Sequence, residues 1–179
     1  MKLFNLFIII LLIAGCGGTH INLDGWEPKS YVENIPIYTN ILEDEICVIT
    51  AVLQSFKDRY KTYEGIGGIW IIRDYYQDIP CIDGPNGTAC KWSEVTTVFG
   101  YADGGNRGMG GLAYDYQYVF ISMYEGHIQF FAATTMHEFG HAILKMGHDT
   151  LKEKFKWSLW EKDMWFNCTL PQLNVCNVS

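Results

Sequence analysis

Apolar residues recur at two different spacings along this chain of 179 residues, and the change from one spacing to the other predicts its elements. Ile46, Ile49, Leu53, Phe56, Tyr60 and Tyr63 stand three or four apart, the spacing of one helix face, and Gly65 follows as a stop. Asn40 with Glu43 three residues on resembles a capping box at the start of this helix. Gly68–Ile72, GIWII, is a short unbroken apolar run and predicts a buried strand; Ile35–Tyr38 is a shorter candidate for a first strand. Val95–Tyr101 alternates and predicts a strand of the same sheet. Tyr116–Met123 predicts another, expected at the sheet edge. Tyr75–Lys91 and the glycine-rich Asp103–Gly111, DGGNRGMGG, read as loops. Helical spacing returns from about Ile128, with Phe131, Ala132, Thr135, Phe139, Ala142, Ile143 and Met146 on one stripe. Leu151–Trp165 mixes lysines with aromatic residues and reads as a helix or as a turn that floors a cleft. The expectation is one α+β domain: a mixed, twisted sheet, a backing helix, a second helix and a small C-terminal subdomain, without internal repeats.

That second helix carries the chemistry. His137-Glu138-Phe139-Gly140-His141 is an HExxH pattern. Residues i and i+4 of a helix stand one above the other, so both imidazoles can reach one metal ion while Glu138 serves a water bound to it. At about 100° per residue the two histidines point roughly opposite the apolar stripe, so the helix can bury one side and present both rings from the other. Phe130, Ala133 and Leu144 flank the rings, which suits a cleft better than open surface. A single histidine on such a helix is more often a buried polar group satisfied by its neighbours. Two at this spacing with Glu after the first point to zinc with Glu as general base. Zinc in that role needs a third protein ligand. His148, after Gly147, which is expected to end the helix, is the favoured candidate; Asp149 and Glu161 are the others. Asp149 has the alternative reading of a group that orients a ligand histidine, and Glu161 that of a surface charge beside Lys162 and Asp163.

Charge and cysteine change the picture at the ends of the chain. The net charge is −7 with no run of Lys or Arg, which argues against nucleic acid as a partner. Met1–Gly15 pairs a basic start with the apolar Leu3–Ile13, too short for a stable span and suited to a signal peptide. Leu12-Ile13-Ala14-Gly15-Cys16 resembles the bacterial lipobox, which implies cleavage before Cys16 and a lipid anchor on that cysteine; the alternative is an ordinary cleaved signal peptide. Gly17 in place of Asp after it points to the outer membrane if the cell has two. Residues 16–34 then read as a tether and 35–179 as the domain. Export permits disulfides, and the expected local pairs are Cys81–Cys90 and Cys168–Cys176, with Cys47 unpaired. No C-x-x-C occurs, which disfavours a cysteine zinc site. The glycine-rich loop lacks the Gly-Lys-Ser/Thr ending of a phosphate loop. Asp103, Asn106 and Asp115 offer oxygen ligands to calcium, but the composition favours a solvated loop.

The order strand, helix, three strands and HExxH helix, over about Ile35–Met164, resembles the zincin metallopeptidases, and Gly147-His148 resembles the Gly-His end of the matrixin-type metzincin motif. The resemblance is specific at HEFGHAI…GHD and only topological elsewhere. It implies Zn²⁺ held by His137, His141 and His148, Glu138 as the base, Met164 as the Met-turn residue, with a core methionine as an equal reading of that position, and a peptide or protein substrate lying along the edge strand. Two departures stand out: Leu144 occupies the position of the family's helix-ending glycine, and one extra residue separates His141 from His148. The rival resemblance, to zincins with a glutamate ligand, would use Glu161, twenty residues after His141. Two further readings are an envelope lipoprotein that keeps zinc for stability alone and a metal-free remnant.

Overall fold

The computed structural model describes residues 21–100, 110–123, 128–145, 147 and 157–176. The fold is α+β. Strands β1 (Ser30–Val32), β2 (Ile35–Ile37), β3 (Gly68–Ile72), β6 (Gly111–Tyr114) and β7 (Tyr118–Ser122) form a five-stranded mixed sheet in the order β1-β2-β3-β7-β6. β2, β3 and β7 are parallel, and each edge strand, β1 and β6, runs antiparallel to its neighbour. A separate hairpin, β4 (Asp78–Gly84) with β5 (Gly87–Lys91), leads into helix α2 (Trp92–Phe99).

The unbroken apolar run of β3 follows from its position, since both faces of the sheet are covered. Ile69, Ile71, Val119 and Ile121 point to one side, into a core with α1 (Glu43–Tyr60) and α3 (Ile128–Leu144). Trp70, Ile72 and Phe120 point to the other, into a core with the hairpin and α2. Trp70 is the hub of this second core, stacked on Tyr38 at 4.3 Å and on Phe120 at 4.9 Å between ring centroids. Helix α4 (Trp157–Met164), the π-helical turn Trp165–Thr169 and the short α5 (Leu170–Leu173) continue one another and pack on α1. Among the described residues no helix is long and apolar enough to cross a membrane.

Several expectations need correction. Helix α1 is capped by Glu45, whose carboxylate accepts from the Leu42 N–H at 2.8 Å, and not by the Asn40/Glu43 pair; Lys61, at φ 62°, ends it ahead of Gly65. Tyr75–Lys91 is no loop: Pro85-Asn86 turns the β4–β5 hairpin between the paired Gly84 and Gly87, the latter at φ 131°. Val95–Tyr101 is not a strand over the described residues. Trp92, Val95 and Val98 are buried at helical spacing in α2, and Glu94 accepts from the N–H groups of Cys90 and Lys91 at its start. Glu94 and the αL glycine Gly100 delimit a helix that overrides the β-branched composition. Tyr116–Met123 supplies β7, which lies inside the sheet; the edge strand is β6. The tether assigned to 16–34 is folded from Ile21 onward, because Ile21 bridges to Ile82, Trp26 sets its edge on Trp70 at 6.3 Å, and β1 pairs with β2. Cys81 pairs with Cys90, but Cys176 pairs with Cys47 on α1 rather than with Cys168. Packing of the C-terminal helices across α1 brings Cys176 to Cys47, while Cys168 keeps its thiol and accepts from Arg59 at 3.6 Å. Of the two readings of Met164, the core methionine holds and the Met-turn does not: it is fully buried at the end of helix α4, where the backbone makes no turn. The leader with Cys16, the calcium candidates Asp103 and Asn106, and His148 and Asp149 lie outside the described residues.

Candidate metal centre

Helix α3 lies across β6 and β7 and buries Phe131, Ala132, Thr135, Phe139, Ala142 and Ile143, the stripe expected from its spacing. His137 and His141 project from the other side. Their rings meet edge to face, with centroids 4.8 Å apart, and the two Nε2 atoms are 3.2 Å apart. Two nitrogens bound to one tetrahedral zinc at about 2.0–2.1 Å would be about 3.3 Å apart. The spacing matches that of two imidazoles on one zinc ion, and it is also a hydrogen-bonding distance between the two rings.

The tautomer fits as well. Glu161, on α4, sets Oε1 at 2.5 Å from Nδ1 of His137. A carboxylate accepts, so Nδ1 carries the proton and the Nε2 facing His141 is the unprotonated nitrogen, the form a metal ligand requires. Burial pulls the His137 pKa down, but the hydrogen bond to Glu161 and the charges of Glu138 and Glu161 outweigh it and the net direction is upward. A divalent cation would replace the proton that such a site attracts.

Glu138 is buried beside the histidines. Burial pushes its carboxyl up to about 7, against the His137 charge and the Ala113 N–H, which both favour the ionised form. A carboxyl near neutrality is matched to taking and giving back a proton in a single reaction cycle.

The exit of α3 differs from expectation. Lys145, at φ 53°, turns the chain, so the helix ends before Gly147. The Lys145 ammonium donates to the carbonyls of Gly65 at 3.1 Å and Tyr116 at 2.5 Å, tying this end to the loop before β3 and the turn between β6 and β7.

The structure thus brings together His137, His141, Glu138 and Glu161. Among the described residues no group of three or more His, Cys, Asp or Glu side chains is placed to share an ion. Glu161 was legible as a candidate from its distance in sequence, but its position on Nδ1 was not, because it depends on how α4 docks. Ala113 and the bare backbone at Gly111 carried no sequence signal beyond an ordinary loop glycine. No protein-family model, no curated protein and no solved structure matches the chain.

Proposed function

We propose that the protein is a zinc-dependent endopeptidase with a zincin-like fold, in which His137 and His141 hold the metal and Glu138 is the general base. The observation that carries this reading is the pair of Nε2 atoms 3.2 Å apart beside a buried carboxyl. His148 is the proposed third ligand, with Asp149 as its alternative. The carboxylate of Glu161 favours a different role for that residue, since it engages His137 on the nitrogen turned away from His141.

Bound zinc supplies an acidified water and polarisation of the scissile carbonyl. The chain supplies the rest. Glu161 holds the His137 ring and its tautomer. Glu138 accepts the proton of the attacking water and passes it to the leaving nitrogen, which needs a group that exchanges protons close to neutral pH. Strand β6, beside α3 and an edge of the sheet among the described residues, offers backbone groups to an extended peptide. Residues 1–16 place the enzyme, on this reading, on a bacterial envelope membrane through lipid at Cys16. Fatty-acid labelling that a Cys16→Ser variant abolishes would test that location.

The test of function is hydrolysis of an unfolded protein by the zinc-loaded soluble form. Glu138→Gln should lower kcat by about 10²- to 10⁴-fold with zinc retained. Zinc at one per chain with no cleavage of any unfolded protein would favour the non-enzymatic reading, in which the metal only stabilises the domain.

A further inference from the structure

The Ser122 N–H donates to the Gly110 carbonyl at 2.8 Å, so these two residues form a hydrogen-bonded pair across β6 and β7. Antiparallel pairing alternates. With Gly111 opposite Ile121, Leu112 opposite Phe120 and Ala113 opposite Val119, Leu112 turns its backbone groups to β7, and Gly111 and Ala113 turn theirs to the open side. An N–H on that side of an edge strand ordinarily meets water or a pairing strand. The Ala113 N–H instead faces the side on which the Glu138 carboxylate lies, and it favours the ionised form of that carboxyl.

The same side chain lies against Gly111. A Cβ there would stand 2.6 Å from Cγ and 2.8 Å from Oε1 of Glu138, and 2.9 Å from the Phe120 carbonyl oxygen. The neighbouring Gly110 is less confined: a Cβ would meet the Phe130 ring at 3.2 Å and the Thr134 hydroxyl at 3.4 Å, contacts that side-chain motion can relieve.

We propose that Gly111 and Ala113 are positioning residues for Glu138: the strand admits the carboxylate where it lacks a side chain and fastens it through the outward-facing N–H of Ala113. A glutamate has several rotatable bonds, and a charge-assisted bond to fixed backbone selects one arrangement before substrate arrives. The strand on which an extended peptide would align thereby also aims the group that moves the proton. This inference rests on the peptidase reading for its consequence but not for its geometry.

Amide hydrogen exchange tests the geometry in the zinc-loaded chain without reference to activity. The Ala113 amide should exchange about 10- to 100-fold faster in Glu138→Ala than in the wild type, with Leu112, which faces β7, unchanged. Equal exchange of Ala113 in both proteins overturns the proposal. Ala113→Pro removes the N–H at a site where an edge strand tolerates proline. It should lower kcat by roughly 10- to 100-fold with KM and zinc content unchanged. Gly111→Ala should do the same, while Gly110→Ala stays near wild type. If Gly111→Ala does not fold, exchange and Ala113→Pro decide. Wild-type kcat in Ala113→Pro also overturns the proposal. A protected Ala113 amide in a chain that cleaves nothing would remove the peptidase reading and leave the positioning of Glu138 intact.

Discussion

Replacing Glu161 by alanine strips Nδ1 of His137 of the carboxylate that holds it at 2.5 Å. Losing such a partner of a ligand histidine costs about 10- to 100-fold in metal affinity, or about 1.4 to 2.8 kcal/mol. The pair is partly solvated, with side-chain exposures of 25% for His137 and 34% for Glu161, so water can replace part of the interaction. The loss should therefore fall near the lower end, about tenfold. Glu161→Gln keeps an acceptor oxygen without the charge and should lie between alanine and wild type. Competition of each variant against a chelator of known zinc affinity reads the difference directly. Zinc binding lost by about 10⁴-fold or more would make Glu161 a ligand, the rival arrangement, since one of three donors would be gone. Unchanged affinity would make it a surface charge, and either result refutes the role argued from its position on Nδ1.

Three further outcomes are expected. His148→Ala should abolish tight zinc binding while Asp149→Ala weakens it modestly; the reverse order, measured by the same competition, would exchange their roles. Cys47 and Cys176 are 129 residues apart and Cys81 and Cys90 only 9. Restriction of the unfolded chain is about 5 kcal/mol for the long loop and about 2.6 kcal/mol for the short one. The Cys47→Ser/Cys176→Ser protein should thus lose about twice the stability of Cys81→Ser/Cys90→Ser in denaturant titrations, and equal losses would contradict the argument. In metal-free protein the Glu138 carboxyl, pushed by burial up to about 7 from 4.5, keeps a proton that the unfolded chain releases. The folded state binds more protons across that window, so stability falls as pH rises from about 4.5 to 7. Glu138→Gln should remove that slope and gain up to roughly 3 kcal/mol over wild type above pH 7, measured by unfolding at pH 5 and pH 8.

What could be read from the chain was set by how local its causes are. β3, β7, α1 and α3 were legible because each has a long apolar pattern of one period, and the HExxH faces followed from helix geometry alone. α2 was misread because Val95, Thr96, Thr97 and Val98 look strand-like, while Glu94 and Gly100, which delimit the helix, act at its ends. The hairpin was missed because Gly84-Pro85-Asn86-Gly87, which holds its two-residue turn, reads as irregular chain between Cys81 and Cys90. The Cys47–Cys176 bond, the edge position of β6 and the contact of Glu161 with His137 depend on packing between distant segments, and residue spacing does not encode it.

Whether His137 and His141 hold zinc is decided by metal analysis of the purified wild type beside His137→Ala and His141→Ala. One tightly bound zinc per wild-type chain and none in either variant is expected. A wild type that takes up no zinc, or variants that retain it in full, would contradict it.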